Sequence, residues 1–270
     1  KSVLTGLLTQ SLLTDKNIQI IKVDVGGSHS KECELFGGVE YQMKLNEPSG
    51  INPFEVVHIK ASDSEKIGIL SKFLSVLILE NGEMQFSKDL KSQIEESIQT
   101  YIRLLPESPD LQDFYDQSIN FPRRNLLKRW VKGGVYESAF KRTSPDRTIS
   151  KQLRYFNFSQ VFEAADPEFA QAGIAAVLAQ FNMDCISAKG KRLVLICDET
   201  PFFIKTCFDF FKFSTANVRK YGHAVVLISQ LSTDMIVGGD SGIIENSPQR
   251  FLFSTDGSMK EYQERFSLTD

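Results

Sequence analysis

Asp198 and Glu199 are the residues of this chain best placed to do chemistry, because two acids close the apolar run Leu193-Val194-Leu195-Ile196-Cys197. A run apolar on both faces reads as a buried parallel strand, the Walker B strand of a phosphate-transfer site. It would deliver Asp198 to the water shell of Mg2+ and set Glu199 beside it to polarise an attacking water. A second such run, Ala224-Val225-Val226-Leu227-Ile228-Ser229-Gln230, fits the neighbouring strand and ends in a polar sensor, Gln230, for the γ-phosphate or that water. The chain opens on Lys1-Ser2 followed by the apolar helical run Val3 to Leu8, which is how a G-x-x-x-x-G-K-[ST] loop reads from its lysine onward. Lys1 would then meet the β/γ-phosphates and Ser2 would share Mg2+ with Asp198, so the sequence reads as a fragment whose first two residues close a Walker A motif.

Each signal alone has an ordinary reading: hydrophobic strands often end in Asp-Glu, and any chain can begin Lys-Ser. Their order is more specific. Helix, strand, acidic strand end and Gln-ended strand follow one another as a RecA-like α/β fold requires. Ile18 to Asp24 reads as a strand and Val25-Gly26-Gly27-Ser28 as the loop at its carboxyl end, where an open α/β sheet binds its ligands. Asp24 and Ser28 are therefore expected to face the nucleotide.

Composition bounds the rest. The 270 residues are 41% hydrophobic with net charge −3, enough for a sizeable core. No stretch approaches the roughly eighteen uninterrupted apolar residues of a membrane span, and no signal peptide is visible, so a soluble cytoplasmic chain is expected. Cys33, Cys185, Cys197 and Cys207 have no C-x-x-C spacing and read as reduced core thiols. His29, His58 and His223 are scattered and read as structural rather than as a metal site.

Gly37-Gly38 turns the chain into Tyr41-Gln42-Met43-Lys44-Leu45, and Asn52-Pro53-Phe54 reads as a rigid extended turn with a structural role. Amphipathic helices are expected from Asp63 to Glu80, ending at Asn81-Gly82, and from Lys88 to Leu104. These belong to a helix-rich stretch too long for a simple crossover. The organisation expected is a first part of the core at 1–61, an α-helical insertion at 62–150, and a second part at 151–270 carrying Walker B and the sensor strand. A strand from Tyr155 to Phe158 and a helix from Pro167 to Phe181 lead into Walker B. Between Arg123 and Arg154 ten Lys or Arg stand against only Glu137 and Asp146. That patch suits nucleic acid, anionic lipid or an acidic subunit face, or else is a solvated helical face. After Walker B, Thr200-Pro201 is expected to cap a helix running from Phe202 to Phe213. Arg219 just before the sensor strand is a candidate arginine finger in trans, or a charge at a helix end.

These residues together resemble a family. Lys1-Ser2, Val23-Asp24-Val25-Gly26-Gly27-Ser28, Gly37-Gly38 leading to Ile51-Asn52-Pro53-Phe54, Trp130-Val131-Lys132-Gly133-Gly134-Val135-Tyr136, Leu195 to Glu199, Arg219-Lys220 and Ile228-Ser229-Gln230 follow the order of the TraC-type, VirB-class ATPases of bacterial type IV secretion and conjugation. The likeness runs along nearly the whole chain and places it in the HerA-FtsK group of P-loop NTPases. It implies a mostly parallel central sheet flanked by helices, and an ATP-hydrolysing, Mg2+-dependent motor that powers pilus assembly or substrate transfer. It further implies a homo-hexameric ring, peripheral at the inner membrane, with the secretion system's inner-membrane complex and its other ATPases as partners and nucleic acid as an optional one. The alternatives are a DNA-translocating or coupling ATPase of the same group, and a scaffold subunit that binds nucleotide without turnover.

Overall fold

The structure, a computed structural model, describes residues 2–80, 83, 86–141, 151–164, 166–188 and 190–252. The Lys1 phosphate contact, the Asn81-Gly82 helix end and the basic residues Arg142 and Arg147 fall outside the described residues. The chain runs α1 (Ser2–Leu13), β1 (Ile18–Asp24), α2 (Ser30–Leu35), β2 (Val39–Gln42), α3 (Asp63–Leu77), α4 (Lys88–Leu104), α5 (Leu111–Gln117), α6 (Arg124–Leu127), β3 (Leu153–Asn157), α7 (Ser159–Glu163), α8 (Pro167–Ser187), β4 (Arg192–Cys197), α9 (Phe208–Asn217), β5 (Ala224–Leu227) and α10 (Gly242–Glu245).

The expected α/β architecture forms. Five strands pair in the order β2-β3-β1-β4-β5, every pair parallel, with β1 in the centre. Side chains alternate across the sheet as the pleat demands. Ile20, Leu153, Tyr155, Val194 and Ile196 face one way, where Leu8 and Leu12 of α1 and Cys33 of α2 cover them. Ile21, Val23, Phe156, Leu195 and Cys197 face the other way, into a larger apolar cluster shared by α3, α4 and α8.

Helices α3 to α6 lie in the chain between β2 and β3, which are neighbours in the sheet, and they share that larger cluster with α8. Local signals start them where the residues predict. Ser62 and Glu65 form a reciprocal capping box at α3, Ser87 caps α4, and Asp166 caps α8 with Pro167 in its first turn. Ile94, Ile98 and Tyr101 of α4 face inward together, as their spacing requires. Phe73 of α3 packs edge-on against Phe54 and Phe140 with no exposed surface, and burying such a ring contributes about 1.5–3 kcal/mol. By length and composition α8 could cross a bilayer, yet sixteen of its side chains are buried and it is the helix around which the core is built.

After the Gly37-Gly38 turn the chain enters the sheet at once as β2, and a Cβ on Gly38 would sit 2.7 Å from Cys33 Sγ. One expected element is displaced. The helix predicted from Phe202 to Phe213 is a single 3-10 turn at Thr200–Phe202 followed by α9 from Phe208. Thr200 caps no helix: its hydroxyl donates to the Cys197 carbonyl at 3.2 Å and accepts from the Ile228 amide at 3.2 Å, clipping the end of β4 to the end of β5.

Candidate active site

Parallel pairing decides which residues meet. The register sets Asp24 of β1 opposite Asn157 of β3 and Val23 opposite Cys197 of β4, so Asp24, Asn157 and Asp198 arrive at one carboxyl edge. The Asp198 amide donates to the Val23 carbonyl at 2.9 Å, fixing that level. Helix α1 precedes β1 through a short turn and so runs antiparallel to it, with Thr9 3.4 Å from Lys22 Nζ. Ser2, seven residues earlier, therefore stands about 10 Å further toward the carboxyl edge at 1.5 Å rise per residue. The start of α1, Asp198 and Glu199 occupy the same end of the molecule.

Asp198 is buried, and its Oδ1 accepts the amide of Glu199 at 2.9 Å. Glu199 itself takes a left-handed backbone, φ +53°, which turns the chain sharply out of β4 and leaves its carboxylate half-exposed at the edge. Gln230, three residues past the end of β5, donates its Nε2 to Glu199 Oε2 at 3.1 Å. The two residues singled out as water-polarising base and sensor are thus in direct contact, from strands that pair side by side.

Asp24 reaches the edge as expected, but its carboxylate is occupied with the loop that follows. It accepts the Gly26 amide at 2.9 Å, the Ser28 amide at 2.7 Å and hydroxyl at 3.0 Å, and the Tyr155 hydroxyl at 3.2 Å. Asp24 shapes the Val25–Ser28 turn, and Ser28 stays exposed at its tip. Burial, reinforced by the neighbouring Asp24 charge, keeps the Tyr155 phenol protonated far above its ordinary range.

Three residues at this edge went unrecognised in the sequence. His29 is buried, with Nδ1 2.8 Å from Glu32 Oε2 and Nε2 3.3 Å from Asp198 Oδ2, and its ring lies edge-on to Tyr155. A carboxylate on each side favours a proton on both ring nitrogens, the imidazolium form. Burial works against that charge, but the bonds to Asp198 and Glu32 outweigh it and raise the His29 pKa above its usual value. Lys22, on the sheet face below, is 1% exposed and donates to both Glu32 oxygens at 2.8 and 2.9 Å. Burial pulls the Lys22 pKa down and Glu32 opposes it. For Glu32, burial alone would raise the pKa, but His29 and Lys22 together hold it at about 2. The sequence signal for this cluster was a lysine in the middle of a mainly apolar strand.

Other sequence candidates lie elsewhere. Arg219 is exposed in a 3-10 turn just before β5 begins, at the amino edge of the sheet and away from Asp198 of its own chain. The basic stretch divides. Arg123 pairs with Glu83 and the Ile78 carbonyl, Arg124 donates to the Tyr115 carbonyl over its ring, and Arg129 pairs with Glu168. Arg154 is buried against Asp184 at 2.6 Å. Lys128, Lys132, Lys141 and Lys151 stay exposed. The Lys132–Tyr136 motif is a structural wrap: a Cβ on Gly134 would stand 2.3 Å from the Lys128 carbonyl, and Tyr136 donates at 2.7 Å to Asp166, the cap of α8. His223 is likewise structural, accepting the Leu193 amide and reaching the Cys185 carbonyl.

Among the described residues no group of three or more His, Cys, Asp or Glu is arranged to hold a metal ion unaided. A buried strand-end carboxylate such as Asp198 is the kind of oxygen donor that Mg2+ takes when it arrives with phosphates, so this acid fits a nucleotide-borne Mg2+. No curated protein matches the chain significantly. The fold is similar to that of VirB4 of Thermoanaerobacter pseudethanolicus, at 18% identity and a TM-score of 0.60, over 84% of this chain and 92% of that one. Residues 1–158 match the model of the TraG P-loop domain, and the chain therefore belongs to that family of P-loop NTPases.

Proposed function

We propose that this chain is the ATP-hydrolysing motor of a type IV secretion or conjugation machine, driving pilus assembly or substrate transfer. The observation that carries the reading is the contact of Gln230 with Glu199, directly beyond the buried Asp198, at the edge to which the start of α1 also points. Lys1 would hold the β/γ-phosphates, and Ser2 would share the metal with Asp198. Magnesium, when bound with ATP, supplies the charge neutralisation that phosphoryl transfer needs.

Glu199 takes the proton of the attacking water, and its half-exposed position lets that water reach it. Gln230 orients the Glu199 carboxylate in the resting site and senses the γ-phosphate by exchanging that bond. Asp24 and Ser28 keep the Val25–Ser28 loop open beside the nucleotide. Arg219, being at the far edge, would serve a neighbour's nucleotide in a homo-hexameric ring assembled on the cytoplasmic side of the inner membrane, where the secretion complex and its other ATPases would be the partners. Internal partners at Arg123, Arg124 and Arg129 favour this reading over a duplex-tracking surface.

Glu199→Gln keeps size and hydrogen bonding but removes the base. ATP binding should persist in the full-length protein while hydrolysis falls by about 10² to 10⁴, as measured by phosphate release. Asp198→Asn should weaken Mg2+-dependent nucleotide binding as well. Unchanged turnover in Glu199→Gln would remove this assignment, and binding without any wild-type phosphate release would make the chain a scaffold subunit.

A further inference from the structure

We infer that His29 is a positioning residue for the metal site: held from behind by Glu32 and Lys22, it aims the Asp198 carboxylate at the position of the nucleotide's metal ion. The inference rests on the motor reading above and extends it to residues outside the phosphate-loop, strand-end and sensor motifs.

The geometry is that of an outer ligand shell. Two contacts of Asp198 bear on its aim. The Glu199 amide meets Oδ1 at 2.9 Å, which follows from the strand end itself, and His29 Nε2 meets Oδ2 at 3.3 Å, which does not. Donors on different oxygens of one carboxylate oppose its rotation about the Cβ–Cγ bond. His29 can supply the second because its own ring is locked. Nδ1 donates to Glu32 at 2.8 Å, the ring lies edge-on to Tyr155 at 6.1 Å between centroids, and the residue is 2% exposed. Glu32 is in turn gripped by Lys22, a cation on the central strand whose place is set by the register of β1 between β3 and β4. The chain Lys22–Glu32–His29–Asp198 thus links the middle of the sheet to the carboxylate at its edge. Purely structural burial does not call for such a series, since four charged groups in one small cluster cost more than apolar packing of equal volume. Hydrogen-bonded supports behind ligating side chains typically set metal affinity by about 10- to 100-fold.

The test separates reach from mere presence of a polar group. Gln at position 29 carries an amide nitrogen about as far out as Nε2 and keeps the bond to Asp198. Asn stops near Nδ1, keeps the bond to Glu32 and falls short of Asp198. Mn2+ with ADP serves as probe, its binding to the full-length protein read by electron paramagnetic resonance, with thermal melting checking the fold of each variant. His29→Asn and His29→Ala should weaken Mn2+ by about tenfold or more, and His29→Gln should stay within a few-fold of wild type. Equal affinity in all three folded variants would overturn the inference, leaving His29 a packing residue. So would tighter binding in His29→Ala, because His29 would then be a cation competing for Asp198. Should wild type itself bind no Mn2+ with ADP, the motor reading fails first, which distinguishes that result from a failure of His29 alone. If Ala does not fold, the Gln and Asn pair still decides the matter.

Discussion

The two faces of the sheet are built on opposite principles. On the α3/α8 face the interior is mainly apolar: aromatic rings from Phe54, Phe73, Phe114 and Tyr101 interlock around one another, and the Arg154–Asp184 pair stands apart among them. On the α1/α2 face a smaller apolar cluster lies beside the hydrogen-bonded series Lys22, Glu32, His29 and Asp198. One face chiefly holds the fold together, and the other carries its buried charges in a connected series that reaches the site. Hydrophobic burial scales with area and is indifferent to direction, whereas a charged network is worth having only where its direction is used.

The largest expected effect on stability sits on the apolar face. Phe73→Ala leaves a cavity among Phe54 and Phe140 and should cost about 3–5 kcal/mol in denaturant unfolding. A loss below about 1 kcal/mol would break the comparison, because a fully buried ring would then carry little of the core.

On the polar face the sharpest test is acid. Glu32 has its folded pKa depressed from 4.5 to about 2, so the stability it contributes is present above pH 4.5 and is lost as pH falls toward 2. Glu32→Gln should therefore cost at most about 3 kcal/mol near neutrality, and the variant should lose less stability than wild type over that acid window. Melting temperatures across that window would read it; parallel wild-type and variant curves would mean that Glu32 is not charged by its partners.

The smallest effect should come from Thr200→Val, which removes the clip between β4 and β5. The Ile228 amide keeps its bond to the Cys197 carbonyl at 3.0 Å, so the loss should be about 1 kcal/mol in a thermal melt. A loss above about 3 kcal/mol would show that the hydroxyl, and not strand pairing, holds this corner of the site.

Much of this was legible along the chain. β1 spans Ile18–Asp24 and α4 spans Lys88–Leu104 as periodicity and caps indicate, and Asp198-Glu199 stands where an apolar strand ends. These features depend on neighbours within a few residues: alternation, helical spacing, a serine before a helix. That β4 and β5 lie side by side was also legible, while the bond of Gln230 to Glu199 came from the structure. The role of His29 was not legible, since it meets Asp198 across 169 positions and only the pairing of β1 with β4 brings them together. In the basic stretch, likewise, composition counts Arg123, Arg124 and Arg129 together, while packing assigns each its own carboxylate or carbonyl. By itself the sequence determined the elements and the chemistry at their ends, as local backbone preference and side-chain period act over one or two turns. Tertiary structure alone decided which charges face one another, because buried groups must find partners wherever strand register and helix packing happen to place them.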